Sequence, residues 1–323
     1  MRRLKVVYLP HPTPLPGRQE ENLIDAISEG NDVTIYDRDG GTPGSMEGRE
    51  VVVDMGGHST TEFIDEAVAA GVKYVQLQTT GLDHVLIDHL KATGMIVANC
   101  PGYLSSVSLA ESAMMFILML AHRFSEARLH FDQRRMNEAF GFNLEGRALG
   151  VLGLGASGKE LAKRARAFAM RIMAIDVRPI EPRVRDEIGL DFVGTPDDLD
   201  QLVSECDFLS LHVPLHGPTR HIIDRHRIDM MKPTACLINV ARGALVDEKA
   251  LYGALMEGRI GGAGLDVFAQ EPADPTRPVY GLPNVLVMPH CAASTIDMAR
   301  NRARFAAENL ARFARGLDPE SLV

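Results

Sequence analysis

The chain has 323 residues, of which 46% are hydrophobic and 24% are charged, and its formal net charge is −9. This composition excludes a disordered chain, and the length is sufficient for two domains with substantial cores. The acidic balance, without a basic cluster that has interleaved aromatic residues, argues against a nucleic-acid partner.

The cysteines lie far apart in the chain, at Cys100, Cys206, Cys236 and Cys291. Since no two of them form a CxxC motif, we predict neither a disulfide framework nor a zinc site. The N-terminus lacks the apolar core of a signal peptide, and the most apolar stretch, residues 113–121, is far shorter than the roughly twenty residues that cross a membrane. We therefore expect a cytoplasmic protein with no bound metal and no membrane partner.

The first hundred residues alternate strand-like apolar runs with helical patterns. Strands are predicted at residues 5–9, 33–36, 50–54, 74–78 and 95–98. Helices are predicted at residues 20–28 and 61–70. This alternation indicates a parallel sheet with crossover helices.

A glycine loop, Gly56-Gly57, follows the third of these strands. Backbone N–H groups in such a loop can face a ligand. A flexible turn in front of a threonine-capped helix explains the same residues about equally well, so the loop alone leaves both interpretations open.

A long helix is predicted over residues 106–123, where apolar side chains recur at helical spacing. Its methionines are typical of a core or of a subunit contact. Residues 124–147 are polar and less periodic, and we interpret them as a helix and an arm that lead into the next strand.

A glycine-rich turn joins a buried strand at residues 149–152 to a helix at residues 159–169. Gly153 permits a sharp turn, Gly155 allows a pyrophosphate to approach the backbone, and Gly158 allows the helix to pack closely on the strand. The phosphates then lie at the N-terminus of the helix. This strand, loop and helix together predict dinucleotide binding.

The next predicted strand, residues 171–175, ends at Asp176. A carboxylate at this position accepts hydrogen bonds from an adenosine ribose and repels a 2′-phosphate. Arg178 can act in the opposite direction by pairing with a 2′-phosphate, although a solvated arginine at the start of a loop is the more common situation. We therefore predict NAD rather than NADP.

The remaining strands are predicted at residues 207–211, 235–240, 262–267 and 285–288. Further helices are predicted at residues 247–257 and 296–314. Three of these strands end near Arg242, Asp266 and His290. Ligands of doubly wound sheets bind beyond the carboxyl ends of the strands, so these side chains are expected to face the dinucleotide.

Three residues have the chemistry that hydride transfer to a 2-oxo acid requires. Arg242 has the planar fork that matches a carboxylate. His290 belongs to the residue type whose ordinary pKa lies near neutrality, and Glu271 can accept a hydrogen bond from its ring. Each residue alone is more often structural than catalytic. The three together, in a chain that also has a dinucleotide loop, predict a dehydrogenase.

Three segments, taken together, resemble the D-isomer-specific 2-hydroxyacid dehydrogenase family. They are Leu237–Asp247 (LINVARGALVD), Gly264–Pro272 (GLDVFAQEP) and Asn284–His290 (NVLVMPH). The resemblance covers essentially the whole chain and implies an α/β fold with two Rossmann-like doubly wound parallel-sheet domains and a cleft between them. It implies a discontinuous substrate-binding domain at residues 1–100 and 295–323, and an NAD-binding Rossmann domain at residues 101–294.

The resemblance also implies roles for single residues. The catalytic residues are Arg242, which binds the substrate carboxylate, and the acid/base pair His290 and Glu271. The substrate contacts are Gly56, Gly57, Arg242 and His290. The cofactor contacts are Gly153, Gly155, Ala156, Ser157, Gly158, Asp176, His212, Val213, Pro214, Val240, Ala241, Asp266 and His290. Among these, Asp266 holds the nicotinamide carboxamide.

The implied activity is that of an NAD-dependent oxidoreductase that interconverts a small 2-oxo acid and the D-2-hydroxy acid, as a homodimer joined through the nucleotide domain. A non-enzymatic, NAD(H)-sensing scaffold of the same family, of the corepressor type, is the alternative, because it retains the same three residues. Many relatives have an arginine where this chain has Ala156, so one pyrophosphate contact is expected to be missing.

Overall fold

A computed structural model of the protein describes residues 2–15, 18–38 and 46–323. The chain divides into two compact units. The first unit comprises Met1–Leu104 and Ser294–Val323, and the second unit comprises Ser105–Ala293. The functions assigned to residues 1–100 with 295–323 and to residues 101–294 stay predictions.

Every strand in the described residues runs parallel to its neighbours in the sheet. In chain order the strands are β1 (Lys5–Leu9), β2 (Asp32–Ile35), β3 (Val51–Asp54), β4 (Tyr74–Leu77), β5 (Ile96–Ala98), β6 (Ala148–Leu152), β7 (Arg171–Ile175), β8 (Phe192–Gly194), β9 (Phe208–Leu211), β10 (Cys236–Asn239), β11 (Gly262–Leu265) and β12 (Val285–Val287).

The helices connect these strands. In chain order they are α1 (Gln19–Ser28), α2 (Thr61–Ala69), α3 (Ile87–Ala92), α4 (Ser106–Ala121), α5 (Phe124–Asp132), α6 (Ala156–Ala167), α7 (Pro182–Ile188), α8 (Leu199–Glu205), α9 (Arg225–Met230), α10 (Glu248–Met256) and α11 (Ile296–Ala314). Short 3₁₀ helices occur at Gly102–Leu104, Pro196–Asp198, Gly217–Thr219, Gly243–Leu245 and Pro278–Gly281.

The first unit contains a five-stranded sheet in the order β2-β1-β3-β4-β5. Leu23 of α1 and Leu310 of α11 belong to the hydrophobic core on one face of this sheet. Phe63 of α2 and Leu90 of α3 belong to the core on the other face. Both faces are therefore covered, which is the reason why β3 and β4 are buried along their whole length.

The second unit contains a seven-stranded sheet in the order β12-β11-β10-β9-β6-β7-β8. The chain enters at β6, continues outward through β7 and β8, and then returns to β9 on the opposite side of β6. The gap between the loops after β6 and β9 is therefore the topological switch point, where doubly wound sheets bind their ligands. The two parallel sheets confirm the predicted α/β fold class.

The long helix α4 packs against the sheet of the second unit. A Cβ atom on Gly264 of β11 would lie 2.6 Å from Cγ of Phe116, so the glycine allows the helix to approach closely. Glu111, the acid within this apolar helix, pairs with Arg164 of α6 at 3.1 Å. The apolar pattern predicted a buried helix over residues 106–123, and α4 is largely buried over Ser106–Ala121.

Within the described part of the chain, no single helix is long and apolar enough to cross a membrane. Helices α4 and α5 meet the length and composition criteria only as a pair, and they are bent by 57° at the break between them. The cytoplasmic location stays a prediction.

Several stretches differ from the sequence prediction, which assigned neither α3 nor α9. Helix α6 begins at Ala156 and not at residue 159, because Gly155 is its N-cap and Gly158 already lies in the first turn. Between residues 176 and 207 the structure has α7, β8 and α8, which the sequence analysis did not assign. Each of these elements has seven residues or fewer, which is too short for a clear periodic pattern.

Candidate active site

The glycine-rich loop connects the carboxyl end of β6 to the N-terminus of α6. Gly153 has a φ of +94°, and a Cβ atom there would lie 2.7 Å from the carbonyl oxygen of His212. A Cβ atom on Gly158 would lie only 2.1 Å from the carbonyl oxygen of Gly153. Both positions therefore exclude a side chain for steric reasons.

The same loop has the form of a cradle for a pyrophosphate. In front of Gly155 the space is open, and the nearest atom to a Cβ placed there is Nη2 of Arg178, at 3.9 Å. The N–H groups of residues 155–158 donate no hydrogen bond to any other described residue. Unpaired N–H groups at a helix N-terminus attract anions, so the loop fits the diphosphate of a dinucleotide. Ala156 is exposed at the first position of α6.

Asp176 follows β7 and holds the glycine loop against this strand. Its Oδ2 atom accepts the N–H of Leu154 at 2.9 Å, and its Oδ1 atom accepts the N–H of Arg178 at 2.9 Å and Nε of Arg178 at 3.3 Å. The side chain of Asp176 is 10% exposed and that of Arg178 is 75% exposed. The arginine is therefore an exposed partner of the carboxylate.

His212 follows β9, on the other side of the switch point. Its Nδ1 atom lies 3.0 Å from Oγ of Ser157, and its Nε2 atom lies 2.9 Å from Oγ of Ser210. Val213 lies beside the turn, since a Cβ on Gly153 would be 2.7 Å from its Cγ1 atom. Burial lowers the pKa of His212 to about 4, so the ring is neutral at physiological pH.

Pro214, Val240 and Ala241 are further predicted cofactor contacts in this unit. The carbonyl oxygen of Pro214 accepts a hydrogen bond from Oγ1 of Thr219 at 2.7 Å. Val240 and Ala241 directly follow β10. The tertiary structure thus brings these residues, together with the glycine loop, to the carboxyl edge of one sheet.

The sheet order places the ends of β10, β11 and β12 side by side. Arg242 follows β10, Asp266 follows β11, and His290 follows β12. Parallel strands present their carboxyl ends on one edge, so the three residues share this edge, as the sequence analysis expected.

Asp266 anchors the backbone segment that carries His290. Its carbonyl oxygen accepts the N–H of His290 at 2.7 Å, and its Oδ1 atom accepts the N–H groups of Cys291 and Ala292 at 2.7 and 3.0 Å. Burial raises the pKa of Asp266, while the two backbone N–H groups act in the opposite direction. The sequence did not predict this anchoring, because no local sequence pattern connects a residue at a strand end with N–H groups so distant in the chain.

His290 and Glu271 are joined by a hydrogen bond, with 2.7 Å between Nδ1 and Oε2. His290 has a φ of +53°, a left-handed conformation that is unusual for a side chain of this size. The hydrogen bond to Glu271 raises the pKa of His290, and burial opposes this effect. Burial alone would raise the pKa of Glu271, but the hydrogen bonds from His290 and from the N–H of Phe268 leave it below its ordinary value.

Arg242 acts electrostatically on this pair, since its charge lowers the pKa of both Glu271 and His290. Its Nη1 atom donates to the carbonyl oxygen of Ala241 at 2.8 Å. The buried side chain of Asn239, which the sequence analysis did not single out, donates to the carbonyl oxygen of Arg242 at 2.8 Å and accepts the N–H of Ala241 at 3.1 Å. Asn239 therefore shapes the turn that presents the arginine.

Gly243 allows the two loops that carry Arg242 and Glu271 to touch. A Cβ atom on Gly243 would lie 1.8 Å from the carbonyl carbon of Phe268, and the N–H of Phe268 donates to Oε1 of Glu271 at 2.9 Å. Any side chain at this position would separate the loops.

Gly56 and Gly57 follow β3 in the first unit. The buried carboxylate of Asp54 accepts the N–H groups of Gly57, His58 and Ser59 at 3.0 to 3.1 Å. The N–H of Gly57, predicted to bind the substrate carboxylate, is therefore engaged by a carboxylate of the protein. The N–H of Gly56 donates to no other described residue.

Three histidine rings surround this loop. The ring centroids of His11 and His58 lie 4.8 Å apart, and those of His58 and His84 lie 5.1 Å apart. Burial lowers the pKa of His58 to about 4, with further contributions from His11, His84 and Arg38. Over the residues that the structure describes, no group of three or more His, Cys, Asp or Glu side chains is arranged to hold a metal ion.

Comparisons with known proteins identify the family of the chain. Residues 114–292 match the family model of the D-isomer specific 2-hydroxyacid dehydrogenase, NAD binding domain. A glyoxylate reductase of Korarchaeum cryptofilum (strain OPF8) is 38% identical over 272 residues, which cover 81% of this chain and 80% of that protein.

Two solved structures superpose over nearly the whole chain. The D-lactate dehydrogenase from Aquifex aeolicus, complexed with NAD and lactic acid, has a TM-score of 0.80 and 26% identity and covers 96% of each chain. The acyclic imino acid reductase Bsp5, in complex with NADPH and D-Arg, has a TM-score of 0.81 and 25% identity and covers 98% of this chain and 99% of that chain. The matched domain and these relatives show that this chain belongs to the D-isomer specific 2-hydroxyacid dehydrogenases, a family of NAD-dependent oxidoreductases.

Proposed function

We propose that this protein reduces a small 2-oxo acid to the D-2-hydroxy acid with NADH and also catalyses the reverse reaction. The observation that carries the proposal is the 2.7 Å contact between His290 and Glu271, within electrostatic range of Arg242. An imidazole whose pKa is raised by a carboxylate and that lies near a guanidinium is suited to a substrate that has both a carboxylate and a ketone.

The three residues have distinct roles in the proposed reaction. His290 gives its Nδ1 proton to the hydrogen bond with Glu271, so its Nε2 atom carries the proton that moves to the substrate oxygen. Glu271 keeps the ring oriented and favours its protonated form. Arg242 binds the substrate carboxylate through its planar fork and polarises the neighbouring ketone.

The dinucleotide is held by the glycine loop and by the residues that follow β7, β9, β10 and β11. These residues are Gly153, Gly155, Ala156, Ser157, Gly158, Asp176, His212, Val213, Pro214, Val240, Ala241 and Asp266. When bound, the nicotinamide supplies or accepts the hydride. We favour NAD over NADP because the carboxylate of Asp176 lies beside the loop and is already paired with Arg178.

The substrate that we propose is a small 2-oxo acid such as glyoxylate, hydroxypyruvate, pyruvate or phosphohydroxypyruvate. The glyoxylate reductase of Korarchaeum cryptofilum supports the first of these. Besides Arg242 and His290, we propose that the Gly56-Gly57 loop contributes to substrate binding. The unpaired N–H of Gly56 is better suited to this role than the N–H of Gly57, which Asp54 engages.

We propose that the protein is a homodimer joined through the second unit. Helix α5 and the arm that follows it expose several large apolar side chains. They are Phe124 at 55%, Leu129 at 49%, Phe131 at 68%, Met136 at 72% and Phe140 at 78%. A surface of this kind favours burial in a subunit contact. Sedimentation analysis of the purified protein and of a Phe131→Ser, Phe140→Ser variant tests this proposal, and a monomeric wild-type protein would contradict it.

The activity is tested by NADH and NADPH oxidation with a panel of 2-oxo acids, together with binding of each nucleotide in the absence of substrate. We expect NADH-dependent reduction of at least one small 2-oxo acid. The rival function is that of an NAD(H)-sensing scaffold. Tight NADH binding without turnover of any 2-oxo acid, combined with NADH-dependent capture of a partner protein, would support the scaffold and overturn the proposal.

A further inference from the structure

The switch point of the second unit is bridged by side chains. His212 comes from the loop after β9, and Ser157 lies in the first turn of α6, which follows β6. Their side chains meet at 3.0 Å between Nδ1 and Oγ, while Nε2 of His212 lies 2.9 Å from Oγ of Ser210. A chain of three polar groups, Ser210, His212 and Ser157, therefore crosses the gap where the dinucleotide is proposed to bind.

The protonation state of His212 limits this chain to two arrangements. Burial lowers the pKa of His212 to about 4, so one ring nitrogen carries a proton and the other accepts one. If Nε2 carries the proton, the hydroxyl of Ser157 must donate to Nδ1. If Nδ1 carries the proton, the hydroxyl of Ser157 accepts from the ring and keeps its own proton for another partner.

The burial of Ser210 distinguishes the two arrangements. Ser210 is 0% exposed, and Nε2 of His212 is the one acceptor within reach of its hydroxyl among the described residues. A buried hydroxyl proton without an acceptor is costly, so Ser210 must donate to Nε2. The ring proton then resides on Nδ1 and points at Ser157, whose side chain is only partly buried.

We propose that His212 is a positioning residue that orients the hydroxyl of Ser157 toward a phosphate oxygen of the bound dinucleotide. Nδ1–H of His212 donates to Oγ of Ser157, and the Ser157 hydroxyl proton is directed at the anion beside the N-terminus of α6. This contact adds to those from the backbone N–H groups of the loop. The preceding residue is Ala156, where many relatives have an arginine. The inference rests on the proposed use of the glycine loop for the pyrophosphate.

A mutant cycle monitored by NADH fluorescence tests the proposal. Ser157→Ala and His212→Leu are each expected to weaken NADH binding by about tenfold, the effect of one lost hydrogen bond to an anion. The double variant is expected to be no weaker than either single variant, because both changes remove the same contact. The KM for NADH is expected to rise more than kcat falls. Ser204→Ala, a surface serine that bonds the carbonyl oxygen of Gln201, is the matched control.

Two amide substitutions distinguish positioning from mere packing. His212→Asn retains a donor two bonds from Cβ, where Nδ1 lies, and is expected to bind NADH within about threefold of the wild type, whereas His212→Gln places its amide one bond further out and is expected to resemble His212→Leu. The proposal would be overturned if the losses of NADH affinity in the two single variants multiplied in the double variant. It would also be overturned if His212→Asn bound NADH no more tightly than His212→Leu.

The unsubstituted protein provides a readout that does not depend on the folding of any variant. The ¹⁵N NMR signals of His212 are expected to show the proton on Nδ1, and a proton on Nε2 would refute the inference. If wild-type protein binds neither NADH nor NADPH, the proposed function itself fails. If it binds NADH but the losses of NADH affinity multiply in the double variant, only the proposed role of His212 fails.

Discussion

Nδ1 of His290 lies 2.7 Å from Oε2 of Glu271, although the two residues belong to different loops. The segment that carries His290 is tied to Asp266 by three backbone N–H groups, and the N–H of Phe268 donates to Oε1 of Glu271. Hydrogen bonds within the protein thus fix both the segment of His290 and the carboxylate of Glu271. The fold therefore sets the orientation of the imidazole ring without bound substrate. This relationship leads to the first two predictions.

Replacing His290 with glutamine removes the proposed proton donor. We expect kcat for 2-oxo acid reduction to fall by roughly 10²–10⁴, the contribution of a positioned acid/base group, while NADH binding persists. Steady-state kinetics and NADH fluorescence measure the two quantities. His226→Gln on the exposed face of α9 is the control, and near-normal turnover of the His290 variant would remove this residue from the chemistry.

Replacing Glu271 with glutamine changes the pH dependence. The hydrogen bond to Glu271 raises the pKa of His290, so the protonated ring persists to higher pH, and reduction is lost as the pH rises through that pKa. Without the carboxylate the pKa of His290 falls. The alkaline decline of kcat/KM for the 2-oxo acid is therefore expected to move to lower pH. Glu257→Gln is the control, and an unmoved decline would contradict the role of Glu271.

Replacing Arg242 with alanine is expected to lower kcat/KM for a 2-oxo acid by about 10²-fold, because a charged, bidentate contact with the carboxylate is lost. Arg242→Lys is expected to recover only a small part of this loss, since an ammonium group lacks the planar fork. NADH affinity is expected to change little in both variants. An unchanged kcat/KM in the alanine variant would place Arg242 outside the substrate site.

Replacing Asp176 with asparagine separates its charge from its structural role. Asparagine can still accept the N–H of Leu154, which Oδ2 now accepts at 2.9 Å, but it no longer repels a 2′-phosphate. We expect the ratio of kcat/KM for NADPH to that for NADH to rise by roughly tenfold. Adding Arg178→Ala is expected to reverse part of this rise. A ratio that does not change would show that Asp176 does not select the cofactor.

Replacing Gly158 with alanine tests the packing of the glycine loop. A Cβ atom there would lie 2.1 Å from the carbonyl oxygen of Gly153, so the loop or α6 must shift, at a cost of about 1–3 kcal/mol in the free energy of unfolding. The control is Gly253→Ala within α10, where the nearest atom to the new Cβ lies 4.0 Å away. This control is expected to gain ~0.5–1 kcal/mol. Denaturant unfolding compares the two, and equal stabilities would contradict the steric argument.

The features that the sequence predicted well are those encoded by nearby residues. The strand before the glycine loop, the buried helix α4 and the amphipathic helix α11 have periodic apolar patterns, and the structure has all three close to their predicted bounds. The order of these elements also predicts parallel sheets, because strands that alternate with helices require crossover connections. The features that it missed are short, such as α7 and α8, or begin at a cap, as α6 does at Gly155.

The candidate site shows the same division. Arg242, Glu271 and His290 were proposed from their residue types, with Arg242 and His290 at predicted strand ends and a dinucleotide loop in the same chain, and their roles stay predictions. Three hydrogen bonds of the site were not predicted. Asp266 anchors the segment of His290, and Asn239 supports the turn of Arg242. Asp54 accepts the N–H of Gly57. In the first two cases the sequence holds no signal for a partner, and in the third a buried aspartate was interpreted only as the end of a strand.

The sequence by itself determined the class of fold, because apolar periodicity is a local property. It also predicted a dinucleotide loop and three residues with dehydrogenase chemistry from glycine placement and residue type, and these site assignments stay predictions. Only the tertiary structure decided which groups meet. The switch point between β6 and β9 brings Ser157 to His212, and the adjacency of β10, β11 and β12 brings Arg242, Glu271 and His290 to one edge. Hydrogen bonds between residues far apart in the chain depend on strand order and burial, which no local pattern encodes.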